Sequence, residues 1–215
     1  MIKISAISIE DAIRKSFKEL YNSKAIVSDS DIWKEDSACF EINYSQKPTN
    51  WFQIINRKLT YNFPYSEYFP NINDKRILME IEYWTKVLIT PNVSEVIINH
   101  LKAHPYSRRA IINLWREEFL YELNKGAACV TQMYFRIKGN AIEFHVHTRA
   151  NDLYNCFLMD LHMMYSLHKS VADSLELELG KFICFVDALH FYKRDLLNID
   201  SQMNYIYNSA IWKKI

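Results

Sequence analysis

Glycine is scarce in this sequence, which has only Gly126, Gly139 and Gly180 among its 215 residues. Average usage of about 7% would give roughly fifteen glycines in a chain of this length. Phosphate-binding loops of the P-loop and dinucleotide types need two or three glycines within a few residues. The spacing of these three glycines excludes both loop types, so any phosphate group must be bound by side chains.

Cysteine, net charge and long apolar runs are limited as well. The four cysteines, Cys39, Cys129, Cys156 and Cys184, are far apart and form no C-x-x-C pair, which predicts neither a disulfide framework nor a metal site. The 26 basic and 25 acidic residues leave a net charge of +1, which argues against nucleic acid as a partner. No stretch approaches the roughly 20 apolar residues of a membrane span, and no signal core precedes the first helix. We expect a cytoplasmic protein that binds no membrane.

The chain has ample material for a packed core, since 49% of its residues are hydrophobic and 14% are aromatic. Apolar periodicity predicts helices at 8–22, with Ser8 as the cap, and at 75–89, 93–103, 116–125 and 153–172. Alternation predicts strands at 109–115, 129–137, 141–148 and 183–192. Residues 39–70 favour no element, and a short tail follows residue 192. Interleaved strands and helices without repeats or linkers predict one domain, 1–215, of the α+β or two-layer α/β class.

Two acidic residues lie where a core would favour apolar ones. Glu80 is on the apolar face of its helix, three residues after Ile77 and four before Trp84. A buried carboxylate tends to a raised pKa, which suits proton transfer; the competing interpretation is a buried hydrogen-bond network. Asp160 lies in the apolar segment NCFLMDLHMMYSL, where a role in a site competes with an ion pair to a neighbouring strand.

Several other residues are weak signals when taken singly. Arg149 follows a predicted strand and could bind an anion or form a surface salt bridge. Cys129 follows small residues that leave room beside a thiol, although a lone cysteine is usually a small hydrophobe. His145 and His147 share a strand face, where solvent exposure is favoured over metal binding because no third ligand has a suitable spacing.

The joint spacing of these residues resembles the thymidylate synthase superfamily, which includes pyrimidine nucleotide hydroxymethylases. Cys129 precedes Arg149 by twenty residues, and His190 and Tyr192 follow Arg149 by 41 and 43 residues. These spacings are the ones found in that family. Residues 107–115 look like its S-R-R-x-I-x-x-x-W segment, residues 149–152 match R-S-x-D with one change, and residues 80–84 resemble E-x-x-W-F. The resemblance covers about residues 76–195, and residues 1–75 are poorly matched.

The resemblance implies a fold and a set of roles. The fold is a mixed sheet that forms a dimer interface, with helices packed on its other face. Cys129 is the thiolate that adds to C6 of the pyrimidine, so that C5 can attack the methylene carbon of 5,10-methylenetetrahydrofolate. The other matched residues assist or bind substrate: Glu80 orders water and assists proton transfer, Arg149 binds the 5′-phosphate, Arg108 and Arg109 reach the phosphate of the partner subunit in a homodimer, His190 and Tyr192 bind the sugar hydroxyl, and Asp152 supports the site.

Two departures from the thymidylate synthase pattern bear on the substrate. Eleven residues after the arginine that family has asparagine, which pairs with uracil N3–H and O4, whereas this chain has Asp160. A carboxylate accepts from the N4 amino group of cytosine and, with a shared proton, satisfies N3, but it would meet uracil O4 as acceptor against acceptor. Such a buried mismatch costs about 1–3 kcal/mol, so Asp160 predicts a cytosine base. Ala150 replaces a serine that contacts phosphate, which favours CMP over dCMP.

Two further departures concern the surroundings of the site. Cys156 replaces a glycine of thymidylate synthases, which is expected to reshape the pocket floor. The closing tail over the folate is not recognisable in SAIWKKI, and looser closure would let water add to an exocyclic methylene intermediate. This predicts a hydroxymethyl product, and hence a homodimeric cytidylate 5-hydroxymethylase acting on CMP or dCMP. The alternatives are a dUMP or dCMP methyl- or hydroxymethyltransferase and a catalytically silent nucleotide-binding relative. A cytidine deaminase is excluded because its zinc motif is absent.

Overall fold

The computed structural model describes residues 1–24, 31–44, 52–55, 58–61, 65–71, 74–85, 92–121 and 128–213. The strands, in chain order, are β1 (Ile2–Ala6), β2 (Ile32–Ile42), β3 (Phe52–Ile55), β4 (Lys58–Tyr61), β5 (Ile111–Asn113), β6 (Val130–Lys138), β7 (Ala141–Thr148), β8 (Asn151–Asp152) and β9 (Glu178–Tyr192). The helices are α1 (Ile9–Asn22), α2 (Tyr65–Tyr68), α3 (Asp74–Trp84), α4 (Val93–Ala103), α5 (Phe157–Ser174), α6 (Leu196–Asn208) and α7 (Ala210–Lys213), with 3-10 turns at Glu117–Leu120 and Lys193–Asp195.

One mixed sheet organises the described part of the chain. Its strands lie in the order β1-β2-β9-β7-β6-β5, and the short strand β8 pairs with β9. β1 and β2 are parallel, as are β7 and β9, whereas β2–β9, β6–β7 and β5–β6 are antiparallel. A separate hairpin joins β3 and β4. The mixed sheet with its helices confirms the predicted α+β class.

The β6–β7 hairpin determines where the candidate site lies. Gly139 in its turn has a φ of +62°, a left-handed conformation that glycine adopts without steric strain. The register runs from Lys138 opposite Ala141 to Val130 opposite Thr148. The residue before β6 and the residue after β7 therefore meet at one end of the sheet.

The two faces of the sheet differ in character because side chains alternate along each strand. On one face Ile142, Phe144 and Val146 are buried and lie toward α5, which has fourteen buried residues and also contacts α1 and α4. On the other face of β7 lie Glu143 and the two predicted histidines; Arg136 donates to Glu143 at 2.6 Å. The core is thus on the helical side, and the opposite face is polar.

Several predicted elements agree closely with the structure. α4 has the predicted bounds, and Ser8 caps α1 by accepting from the Asp11 backbone N–H at 3.1 Å. The helix predicted from residue 153 begins at Phe157, because the Asp152 carboxylate holds a turn by accepting from the backbone N–H groups of Tyr154 and Asn155. The last part of the helix predicted at 75–89 lies outside the described residues. The helix predicted at 116–125 is instead a 3-10 turn at Glu117–Leu120, and residues 122–125 lie outside the described residues.

Other predictions need correction. The segment from residue 193 is not a short tail, because α6 buries Ile199, Met203 and Ile206 in the core. β1 and β2 lie where no strand was predicted, and both are sheet members through pairing with distant segments. Residues 39–70 contain the end of β2 together with β3, β4 and α2. The strand predicted at 183–192 begins five residues earlier, at residue 178.

Candidate active site

Cys129 lies directly before β6 and is partly exposed. Its backbone N–H donates to the hydroxyl of Tyr83 at 3.2 Å, and the N–H of Val130 donates to the same oxygen at 3.4 Å. Tyr83 belongs to α3, the helix that also contains Glu80 in its described backbone; the side chain of Glu80 lies outside the described residues. A tyrosine one turn after Glu80 therefore fixes the backbone at the candidate nucleophile.

The surroundings of Tyr83 relate Cys129 to Asp160. Burial is the largest effect on the pKa of Tyr83, and the nearby charges of Asp160 and Cys129 act in the same direction, so that this pKa lies well above its ordinary value. The hydroxyl therefore stays protonated throughout the neutral range. Both the carboxylate and the thiol therefore lie close enough to Tyr83 to influence its hydroxyl electrostatically.

Asp160 is in the first turn of α5 and is only 4% exposed. The indole Nε1–H of Trp84 donates to its Oδ1 at 2.7 Å, and the amide Nδ2–H of Asn151 donates to its Oδ2 at 2.6 Å. Hydrogen bonds of this length to a carboxylate are typical of charge-assisted pairs. Each carboxylate oxygen is therefore anchored by a separate donor, one from α3 and one from β8.

Arg149 lies beside Cys129 although twenty residues separate them in the sequence. Its backbone N–H donates to the carbonyl of Cys129 at 2.9 Å, and its Nε–H donates to the carbonyl of Ala128 at 3.1 Å. Its guanidinium carbon is 5.7 Å from the ring centroid of Trp115. The hairpin register explains this proximity, because Arg149 follows β7 at the point where Cys129 precedes β6.

A cleft of about 470 Å³ opens on the polar face of the sheet next to Arg149. It is lined by Asn113, Trp115, Thr131, Gln132, His147 and Arg149. Its walls offer a guanidinium, amides and a hydroxyl, groups that bind anions and other polar ligands. The cleft could accommodate a phosphate group at the end of the sheet where Cys129 lies.

Asp152, His190 and Tyr192 form a second polar group at this sheet end. Asp152 pairs with His190 in the β8–β9 register. His190 Nδ1 is 3.0 Å from the carbonyl of Ala188, whereas its buried Nε2 has no hydrogen-bond partner among the described residues. The rings of His190 and Tyr192 are 4.8 Å apart. Asp152 stabilises the turn before α5 by accepting from the backbone N–H groups of Tyr154 and Asn155, so its role is structural.

The remaining predicted residues lie around this region. Arg108 and Arg109 are exposed in the turn between α4 and β5, where the backbone N–H of Arg109 donates to Ser107 Oγ at 3.0 Å. Ser107 Oγ is in turn 2.7 Å from His100 Nε2. Ala150 is half-buried between Arg149 and β8. The turn is thus ordered by local hydrogen bonds, and both arginine side chains project into solvent.

Three residues at the site carry contacts to which the sequence analysis assigned no role. Tyr83 appeared only as part of a matched segment, Trp84 also as a residue of the apolar helix face, and Asn151 only as the variable position of another segment. A signal for Asn151 exists in the sequence, since an amide between a predicted strand and a buried helix needs partners. Nothing in the sequence pairs Trp84 with Asp160, because 76 residues separate them.

The described residues also bear on metal binding and membrane spanning. In the described part of the chain, no three or more histidine, cysteine or acidic side chains are grouped closely enough to hold a metal ion. The polar-face histidines have acidic neighbours instead: His147 Nε2 is 2.9 Å from Asp187, and His145 Nε2 is 3.6 Å from Glu143. The described helices also include none with the length and apolar character of a membrane span.

Comparison with known proteins identifies the family. The family model for thymidylate synthase matches residues 60–210. The thymidylate synthase of Streptococcus sanguinis is 29% identical over 105 residues, which cover 47% of this chain and 38% of that protein. The thymidylate synthase of Bacillus licheniformis is 27% identical over 114 residues, covering 51% of this chain and 39% of that protein.

These matches also define how much of the relatives is represented. The chain spans about two fifths of the length of the curated relatives it matches. The family model covers most of this chain, including the segments that carry Glu80, Cys129, Arg149, Asp160 and His190. Sequence resemblance, mixed sheet and family match agree: the chain belongs to the thymidylate synthase family.

Proposed function

We propose that this protein transfers a one-carbon unit to C5 of a cytidylate, forming 5-hydroxymethyl-CMP or 5-hydroxymethyl-dCMP from 5,10-methylenetetrahydrofolate and water. The observation that carries the proposal is the environment of Asp160. A buried carboxylate with a donor on each oxygen is held as an acceptor, and cytosine offers an amino donor where uracil offers a carbonyl acceptor. Family membership supports the reaction class, and Asp160 supports the choice of base.

In this proposal Cys129 forms the covalent bond to substrate. Its thiolate adds to C6 of the ring, which moves electron density toward C5 and makes C5 nucleophilic. The hydrogen bonds from the Cys129 and Val130 N–H groups to Tyr83 support this role, since they hold the backbone on both sides of the nucleophile's carbonyl carbon. Elimination of the thiolate at the end restores the aromatic ring.

Arg149 is proposed to bind the 5′-phosphate. Its two hydrogen bonds to the backbone at residues 128 and 129 fix its stem and align its guanidinium with the cleft. Arg108 and Arg109 of a partner subunit would complete the phosphate site in a homodimer, since the cleft opens on the polar sheet face rather than toward the core. His190 Nε2 and Tyr192 are proposed to hydrogen-bond the sugar, and Glu80 to order water and transfer protons.

The co-substrate would supply a carbon at the oxidation level of formaldehyde when bound. The partial exposure of Cys129 fits a reaction in which a second ligand must approach the ring beside the nucleophile. This chain's residues would orient the pyrimidine, with Asp160 at the N3 and N4 edge and Arg149 at the phosphate. Addition of water to the activated carbon then gives the hydroxymethyl product, whereas hydride delivery gives a methyl product.

The direct test incubates the protein with methylenetetrahydrofolate and each of CMP, dCMP, UMP and dUMP, and measures product masses. We expect addition of CH₂O to a cytidylate. Addition of CH₂ would replace hydroxymethyl transfer by methyl transfer, and turnover of a uridylate alone would refute the assignment of the base. Turnover of none of the four, with nucleotide still bound, would support the silent relative.

Two variants connect the activity to named residues. Cys129→Ser should abolish turnover while leaving nucleotide binding. Asp160→Asn should lower the kcat/KM ratio of CMP to UMP by about tenfold to a hundredfold, since a lost acceptor and a new mismatch are worth about 1–3 kcal/mol. Asp173→Asn is the matched control, because Asp173 lies on the same helix, is 63% exposed and pairs only with Lys169 among the ion pairs described.

A further inference from the structure

Asn151 is a buried amide with one satisfied and one unsatisfied end. It is 3% exposed and lies in β8, where it pairs with Leu189 of β9. Its Nδ2–H donates to Asp160 Oδ2 at 2.6 Å. Its Oδ1 is buried and has no hydrogen-bond partner among the residues that the structure describes.

The buried Oδ1 of Asn151, which has no partner among the described residues, indicates a missing hydrogen-bond donor. Buried polar atoms in folded proteins nearly always have a hydrogen-bond partner, so an exception calls for an explanation such as a ligand. Because Oδ1 and Nδ2 belong to one planar amide group, the unpaired oxygen lies next to the Asp160 carboxylate to which Nδ2 is bonded. The absent donor should therefore be part of the group that Asp160 recognises.

Resting on the function proposed above, we propose that Asn151 is a second specificity-determining residue of the cytosine site. Its Nδ2–H orients Asp160, and its Oδ1 accepts a hydrogen bond from the exocyclic amino group of cytosine. That amino group carries two hydrogens, so it can donate to Asp160 and to Asn151 together. Uracil places its O4 acceptor at the same point and would meet two acceptors.

Trp84 has a narrower role as a positioning residue. Its Nε1–H anchors the other carboxylate oxygen of Asp160 at 2.7 Å. Donors on both oxygens restrict rotation of the Asp160 carboxylate. Because a carboxylate offers about four acceptor sites, Asp160 can accept from these two protein donors and also from a base. Loss of the Trp84 donor should loosen the orientation of Asp160 while leaving the Asn151 acceptor in place.

The test measures dissociation constants of CMP and UMP by calorimetry, together with the thermal unfolding midpoint. Asn151→Leu removes the donor and the acceptor at nearly constant volume. It should lower the CMP preference about tenfold or more, and Trp84→Phe should lower it less. Trp212→Phe is the matched control, because the buried Nε1 of Trp212 has no partner among the described residues; the preference should not change.

The outcomes separate this inference from the proposed function. A purely structural role for Asn151 would weaken CMP and UMP binding equally and lower the unfolding midpoint, which would overturn the inference. If Asn151→Leu does not fold, Asn151→Ser, whose hydroxyl is too short to keep both contacts, is judged by the same ratio. Absence of any CMP preference in the wild type would refute the proposed function itself. A wild-type preference that Asp160→Asn abolishes and Asn151→Leu retains would refute only the role of Asn151.

Discussion

Replacing Tyr83 by phenylalanine removes a single oxygen that serves two backbone groups beside the candidate nucleophile. The hydroxyl accepts from the N–H of Cys129 at 3.2 Å and from the N–H of Val130 at 3.4 Å. Phenylalanine keeps the ring and its packing against Trp84, whose centroid is 5.5 Å away. The substitution therefore isolates the two hydrogen bonds.

The size of the effect follows from the geometry. A buried N–H that loses its partner costs about 1–3 kcal/mol. Both distances lie at or beyond the long end of the usual range, and water can reach the partly exposed Cys129. We therefore expect Tyr83→Phe to lower the free energy of unfolding by about 1–2 kcal/mol in total. Since burial raises the pKa of Tyr83, its hydroxyl stays neutral and this loss should not vary across neutral pH.

Urea denaturation of the wild type and of two variants provides the assay. Tyr154→Phe is the control, because Tyr154 is 2% exposed and its hydroxyl has no partner among the described residues; this variant should be as stable as the wild type. Alkylation of Cys129 should also become faster in Tyr83→Phe, since its backbone is less restrained. Equal unfolding free energies for the two variants, with unchanged alkylation, would refute the proposed anchoring.

Two other predictions concern pH and thiol reactivity. Burial lowers the pKa of His168 to about 4, while its Nε2–H donates to the carbonyl of Ile142 at 2.7 Å. In the unfolded chain the imidazole is protonated near pH 6.5. The free energy of unfolding should therefore fall by roughly 1.4 kcal/mol per pH unit as the pH drops from about 6.5 to about 4. A His168→Gln variant with the same pH slope would contradict this. In native protein, iodoacetamide should modify Cys129 and spare Cys156 and Cys184, which are buried. Mass spectrometry of Cys129→Ser and of a separate Cys156→Ser variant would show which thiol reacts. Labelling of either buried thiol before Cys129 would contradict the prediction.

Local elements were predictable because their signals are contained within the element. The helix at Val93–Ala103 follows from apolar periodicity, and the start of α1 from a serine that caps it. The β6–β7 hairpin follows from two alternating runs around a glycine. In each case, the residues that stabilise the element are its sequence neighbours.

Elements that depend on distant partners were missed. β1 pairs with β2, and β2 pairs with β9, whose residues lie about 150 positions further along the chain. α6 is stabilised by contacts such as Gln202 Nε2–H to the carbonyl of Tyr68 at 2.7 Å. A short apolar run does not itself reveal which strand or helix will cover it.

The candidate site shows the same difference between features with local signals and features that depend on distant residues. The twenty-residue spacing from Cys129 to Arg149 spans one hairpin, so the spacing and the fold bring the two residues together at one sheet end. The sequence indicated Asp160 as a candidate site residue because a carboxylate in an apolar helix requires partners. Its partners, Trp84 and Asn151, come from two other elements and were not predictable from spacing.

The sequence by itself therefore determined the family, the α+β class, the exclusion of glycine-rich phosphate loops and the unusual aspartate at residue 160. The tertiary structure decided how that aspartate is held, which amide acceptor lies beside it, and that Tyr83 secures the backbone at Cys129. The physical reason is that composition and periodicity act within a segment. Hydrogen bonds that join α5 to α3 and to β8, and α3 to the backbone at Cys129, exist only after the core has packed these segments together.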